Sequence, residues 1–207
     1  MDDLKTVTDE VRVCQLCGLA STRNKAVPGE GPANAEVMLI GEGPGFHEDQ
    51  QGRPFVGPSG EFLTQLLASA GFKRSEVFIA NVVKCRPPGN RDPLPDEITA
   101  CAAYLDRQIA LINPRVIITL GRFSMARWFP REKISAIHGR ARKIDGRIIV
   151  AMFHPAAALH QPALRQSIED DFTRLRQILD EVHQQEAAAA KKDKQESDGS
   201  AEQLSLF

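Results

Sequence analysis

Residues 36–41 read Glu-Val-Met-Leu-Ile-Gly and run without a break into Gly41-Glu42-Gly43-Pro44-Gly45-Phe46-His47-Glu48-Asp49. An apolar run too short for a helix, ended by glycines, reads as a strand entering a turn. Three more apolar, β-branched runs share this character: 77–84 (VFIANVVK), 115–121 (RVIITLG) and 147–153 (RIIVAMF). Their near-continuous hydrophobicity suits strands covered on both faces, as in a parallel sheet. Helical patterns separate them. Residues 59–70 repeat apolar side chains at Phe62, Leu63, Leu66 and Leu67. Residues 96–112 carry an apolar face through Ile98, Cys101, Leu105, Ile109 and Ile112 until Pro114 stops it, and 165–183 form a last helix. The alternation predicts an α/β fold of three layers, αβα, around a central, mainly parallel four-stranded sheet.

A chain of 207 residues with 42% hydrophobic content can bury one full core. The expected division is a folded domain over 1–183 and a flexible tail over 184–207. From 184 onward Ala, Lys, Asp, Gln, Glu, Ser and Gly dominate, which leaves little to bury, although 181–194 could extend the last helix. No apolar run approaches the roughly 18 residues of a membrane span. Met1-Asp2-Asp3-Leu4 carries no signal pattern, so a soluble, cytoplasmic monomer with no membrane partner is expected. The formal net charge of −1 hides a split: residues 180–207 carry a net −4, and residues 11–179 a net +6. A basic body can meet phosphate locally, but charge alone does not establish a nucleic-acid partner.

Ligands of open α/β sheets bind beyond the carboxyl ends of the strands. Three polar features fall there: the glycine-rich turn after the first strand, continuing to Gly52-Arg53-Pro54-Phe55-Val56-Gly57; Asn81 inside the second strand; and His154-Pro155 after the fourth. Each has an ordinary explanation. Strand-to-helix turns are often glycine-rich, and this one lacks the spacing of a dinucleotide or Walker loop. An isolated strand Asn is more often a satisfied core amide than a ligand contact. Their significance lies in convergence on one crevice.

Four cysteines in a reducing compartment point to metal rather than disulfides. Cys14 and Cys17 form a chelating C-x2-C pair, Cys85 follows after 67 residues, and Cys101 after 15 more. Four thiolates suit either tetrahedral zinc or a [4Fe–4S] cluster.

The segments GEGPGFHEDQQGRPFVG (41–57), NVVKCRPPGNRDP (81–93) and FHPAA (153–157), in this order, resemble the signatures of family 4 uracil-DNA glycosylases. The resemblance spans Cys14 to about Phe172. It implies a [4Fe–4S] cluster held by Cys14, Cys17, Cys85 and Cys101, and uracil-containing DNA as the partner. It implies that Phe55 stacks on an extruded uracil, that Asn81 reads the base edge, and that Glu48 stands beside C5 against a thymine methyl, with Gly43 in the same turn. His154 is implied to stabilise charge growing on uracil O2. Related families place Asp or Asn near Gly43, and Glu42 next door becomes the candidate for positioning the attacking water. After His154, a loop over 156–162 is expected to wedge into the vacated base stack with Leu159 at its tip. The family usually has arginine where His160 stands, which leaves that DNA contact in doubt, and His138 corresponds to a phosphate contact. One related branch carries a basic insert after the second motif and is trapped covalently on DNA. Here 91–95 lead straight into a helix, and turnover is expected. The end of the chain, Gln203-Leu204-Ser205-Leu206-Phe207, resembles the motif by which bacterial repair proteins dock on the sliding clamp through Gln203, Leu204, Leu206 and Phe207. The second reading, from another class, is a non-catalytic metal-bound α/β module that binds nucleotides or single-stranded nucleic acid.

Overall fold

The run at 36–41 becomes β1 (Val37–Gly41), buried at all five residues, in a computed structural model that describes residues 3–201 and their side chains as far as Ala189. Before it lies α1 (Leu4–Val13), started by Asp3, whose carboxylate accepts from the Thr6 N–H at 2.7 Å. After it come α2 (Phe46–Gln51), α3 (Pro58–Ser69), β2 (Phe78–Asn81), α4 (Pro95–Ile112) and β3 (Val116–Leu120). Then follow α5 (Arg122–Ala126), α6 (Ile134–Ile137), β4 (Ala141–Ile144), β5 (Arg147–Met152), α7 (Pro155–His160), α8 (Arg165–Thr173) and α9 (Leu175–Ala201). Proline opens α3, α4 and α7, where its missing N–H costs nothing.

The sheet order is β2-β1-β3-β5-β4, parallel throughout except for β4, which pairs antiparallel with β5. Alternate strand residues feed two cores. Met38, Ile40, Ile117 and Ile149 pack with Leu105 and Ile109 of α4 on one face. Leu39, Ile79, Ile118 and Val150 pack with Leu63, Leu66, Phe172 and Leu179 on the other. The expected three-layer αβα arrangement follows from strands that are apolar on both sides.

Two details differ from expectation. The sheet has five strands, not four: β4 reads Ala-Arg-Lys-Ile and is largely exposed, so it lacks the apolar signature of its neighbours. Its signal was the turn, since Asp145 and Gly146 both take positive φ, 49° and 80°, as a tight hairpin requires. The stretch expected to be a flexible tail from residue 184 continues α9 through Ala201. Its Ala, Lys, Gln and Glu are strong helix formers even without a core to face, and Glu186 pairs with Arg115 at the end of the sheet. Among the described side chains the last in the core is Val182, and 183–189 are exposed.

Candidate functional site

The carboxyl ends of β1, β2 and β5 open onto a cavity of about 470 Å³. Glu42, Gly43, Glu48, Phe55, Asn81, His154 and His160 all line it, so seven of the residues singled out in the sequence meet in one place. The register explains why: Gly41 lies opposite Asn81 in the β1–β2 pair, and the chain leaves both strands there.

Asn81 is 1% exposed, and its Oδ1 is buried with no hydrogen-bond partner. Nearly all buried polar atoms are paired, so an orphan acceptor on a cavity wall marks a place kept for a donor from outside. Space for it is made by Gly41. A Cβ there would sit 2.4 Å from Asn81 Oδ1 and 2.8 Å from the Phe55 ring.

Phe55 adopts φ 51°, an uncommon conformation for a residue with a side chain. Its surroundings impose it. Arg74 donates to the Pro54 carbonyl at 2.6 Å, and the Val56 and Gly57 N–H groups donate to Glu48 Oε1 at 2.8 and 2.9 Å. Gly60 supplies the clearance, since a Cβ there would lie 1.9 Å from the Phe55 carbonyl oxygen. Glu48 also accepts from Gly45 N–H at 3.1 Å through its other oxygen. It is therefore a 7%-exposed brace between the glycine turn and the Phe55 loop as well as part of the wall.

His154 caps α7, its Nδ1 accepting from the Ala156 N–H at 3.1 Å. That bond places the ring proton on Nε2. Burial holds the imidazole down to about 4, against a weaker opposing pull from Glu48, so the ring is neutral at physiological pH. Its ring stacks beside Phe55, with centroids 5.4 Å apart and planes 24° from parallel. Cap and proline turn the segment expected as a loop over 156–162 into α7 followed by a 3-10 turn (Pro162–Leu164). Leu159 stands 48% exposed on that helix, next to His160.

Burial raises the Glu42 carboxyl, helped by Asp92 and opposed by Arg122; these two neighbours form an ion pair with each other. His138 does not line the cavity. It bonds through Nδ1 to Asp171 at 2.8 Å and tilts against Phe153 at 4.6 Å. Asn90 and Arg91, not singled out beforehand, do line it. Asn90 takes φ 55° and accepts from Arg86 Nε at 2.7 Å, while Arg91 is gripped by both oxygens of Glu97. The signal was Pro-Gly-Asn in the second motif, since Asn tolerates the left-handed conformation better than most residues.

The cysteines meet the core on the α4 face of the sheet. Cys85 and Cys101 are buried, and Cys14 and Cys17 pack against the same core from the end of α1. Donors are aimed at two of the sulfurs: Leu16 N–H at 3.5 Å toward Cys14 and Arg23 at 3.2 Å toward Cys85. Burial pushes the Cys85 thiol up and the Cys101 thiol up to about 11. Four thiols on one core, two of them met by N–H donors, are a donor set that suits a tetrahedral metal or a cluster. Among the described residues, no three His, Cys, Asp or Glu side chains form a ready-made site for a metal ion. Gln203, Leu204, Leu206 and Phe207 lie outside the described residues. Among the described residues no helix is long and apolar enough to cross a membrane.

Residues 28–180 match the family model described as the uracil DNA glycosylase superfamily. The type-4 uracil-DNA glycosylase of Saccharolobus solfataricus is 48% identical over 189 residues, covering 86% of this chain and 88% of that one. The type-4 enzyme of Sulfurisphaera tokodaii is 47% identical, covering 86% of each chain. That of Archaeoglobus fulgidus is 42% identical, covering 86% of this chain and 94% of that one.

Proposed function

The chain belongs to the type-4 uracil-DNA glycosylases of the uracil DNA glycosylase superfamily, and from that premise we propose that its cavity takes a uracil flipped out of DNA and hydrolyses the N-glycosidic bond. The observation that carries the assignment is the orphan acceptor of Asn81 in the same cavity as a neutral His154 with its Nε2 proton available.

A base inside a duplex is out of reach, so the nucleotide must leave the stack first. In the cavity, uracil N3–H donates to Asn81 Oδ1 and Asn81 Nδ2 donates to O4. Cytosine reverses both, leaving two buried groups unpaired, which supports rejection by several orders of magnitude. Phe55 offers its face to the base, an interaction worth about 1–3 kcal/mol. As the bond to C1′ breaks, negative charge grows on uracil O2, where a donated His154 Nε2–H is worth roughly 10²–10³ in rate. A neutral donor serves here without the cost of burying an imidazolium. Glu42 holds the water that attacks C1′; its raised carboxyl suits a group that takes up a proton late. Glu48 acts at the C5 side of the base as part of the wall and keeps the Phe55 loop in place.

Around the cavity, Leu159 fills the gap left in the stack, His160 sits at the rim, and His138, aligned by Asp171, meets a backbone phosphate. The four cysteines hold a [4Fe–4S] cluster whose part is structural: it pins the end of α1 and the segment after β2 to α4. The motif at 203–207 docks on a sliding clamp, which concentrates the enzyme at newly copied DNA. Titrating clamp against the full chain and a chain ending at Glu202 tests this; equal affinity for both removes it.

Incubation with an oligonucleotide carrying one uracil, followed by alkali, tests the central reading. Strand breaks at uracil, and none at cytosine or thymine in matched oligonucleotides, are the expected result. Binding without alkali-labile sites would favour the non-catalytic nucleic-acid module instead.

A further inference from the structure

Lys84 is among the largest fully enclosed side chains of the described residues, at 1% exposure, and the uracil chemistry above makes no use of it. Sealing an amine from water is costly unless its donors are used. Here they are. Nζ donates to the backbone carbonyl of Asn81 at 2.9 Å and to Gln108 Oε1 at 2.7 Å, and Gln108 Nε2 passes the connection to the Pro28 carbonyl at 2.7 Å. Burial pushes the amine down to about 7. A neutral amine keeps two N–H groups, so both bonds survive in either protonation state.

The same residue faces the cysteine site with its backbone. Its carbonyl accepts from the Val27 N–H at 2.7 Å, and the next residue in the chain is Cys85. β2 ends at Asn81, and residues 82–85 form a bend in which the Val82 and Val83 N–H groups make the last bonds to the end of β1, at the Gly41 and Glu42 carbonyls (3.0 and 3.1 Å). The direction in which the Asn81 amide leaves the sheet is therefore set where the ladder stops, and the side chain of Lys84 returns to hold that point.

We infer that Lys84 is a positioning residue that ties the aim of the Asn81 amide to the four-cysteine site, making uracil recognition sensitive to the metal centre held there. The inference rests on the proposed function and on the cysteines holding a metal. Without a metal on its thiol, Cys85 would be free to move, Lys84 beside it would shift, and the Asn81 carbonyl would lose its donor. A displacement at Asn81 well under 1 Å suffices to weaken two short hydrogen bonds to the base.

The test uses full-length protein with its metal bound. Lys84→Met removes both donors at similar volume. Iron content, single-turnover excision and the affinity for free uracil by calorimetry are measured in Lys84→Met, Asn81→Ala and the double variant. Lys84→Met is expected to keep its iron while losing about tenfold in excision rate and in free-uracil affinity; in the Asn81→Ala background it should cost less than about twofold, because coupled positions are not additive. Chelating iron from wild-type protein should weaken free-uracil binding, and should weaken it no further in Lys84→Met. Should Lys84→Met not fold, Gln108→Leu, which removes one of the two tethers, is expected to show the same uracil-specific loss to a smaller degree. Wild-type affinity for uracil in the folded variant, or a loss that is fully additive with Asn81→Ala, would overturn the inference. Failure of wild-type protein to excise uracil at all would instead overturn the function on which it rests.

Discussion

The two ends of one short segment, Asn81 and Cys85, belong to regions built on opposite principles. At Asn81 the protein leaves a buried acceptor unpaired and clears the space in front of it with Gly41. At the cysteine corner two of the four sulfurs already receive a donor, Cys14 from Leu16 and Cys85 from Arg23. An unpaired buried group stores a penalty that an arriving base relieves, and so it selects a substrate that comes and goes. Thiols that already receive donors instead suit a metal that stays bound. The contrast separates a site for turnover from a site for permanence, only four residues apart.

The sharpest way to break this contrast is at the pocket. His154→Ala should lower single-turnover excision by roughly 10²-fold or more while leaving affinity for undamaged DNA near normal. The loss of its cap on α7 should cost about 1 kcal/mol in stability, readable separately by denaturant unfolding. Wild-type excision by this variant would remove His154 from the mechanism.

At the cysteine corner the order of effects should invert. Cys85→Ala should lose iron and broad absorbance near about 400 nm, and should unfold earlier by several degrees, because the centre's binding energy is folding energy. Whatever fraction stays folded should excise uracil far better than His154→Ala does. Metal analysis showing one zinc and no iron in anaerobically prepared wild-type protein would redraw this half of the comparison.

The smallest effect is in pH. Unfolded His154 takes up a proton near its ordinary value of about 6.5, whereas the folded ring resists until about 4. Between those values the unfolded state binds more protons, so this contribution is complete above about 6.5 and is lost as pH falls toward 4. Urea midpoints at pH 7.5 and 5 should therefore differ more in wild-type protein than in His154→Ala. Equal differences would mean that the imidazole is not held neutral by the fold.

Much of this was legible in the chain. The strands β1, β2, β3 and β5 declared themselves because burial on both faces demands unbroken apolar runs, and a strand is a local object. β4 was not legible by that rule, since an exposed edge strand needs no apolar face and leaves only the Asp145-Gly146 turn as a sign. The run from 184 was read by composition as tail, whereas helix propensity carries α9 through Ala201.

By itself the sequence determined the layer order, the four thiols and the polar groups at the strand ends, for these depend on residue type and short-range spacing. Only the tertiary structure decided what those groups can do. Glu48 became the brace of the Phe55 loop because Val56 and Gly57 present their N–H groups to it. His154 became a neutral donor because the Ala156 N–H occupies Nδ1 and burial excludes the proton. Lys84 became a buried tether because its amine reaches both the Asn81 carbonyl and Gln108, which lie far apart along the chain. Hydrogen-bond satisfaction and desolvation are long-range sums over the folded surroundings, and no local pattern of residues contains them.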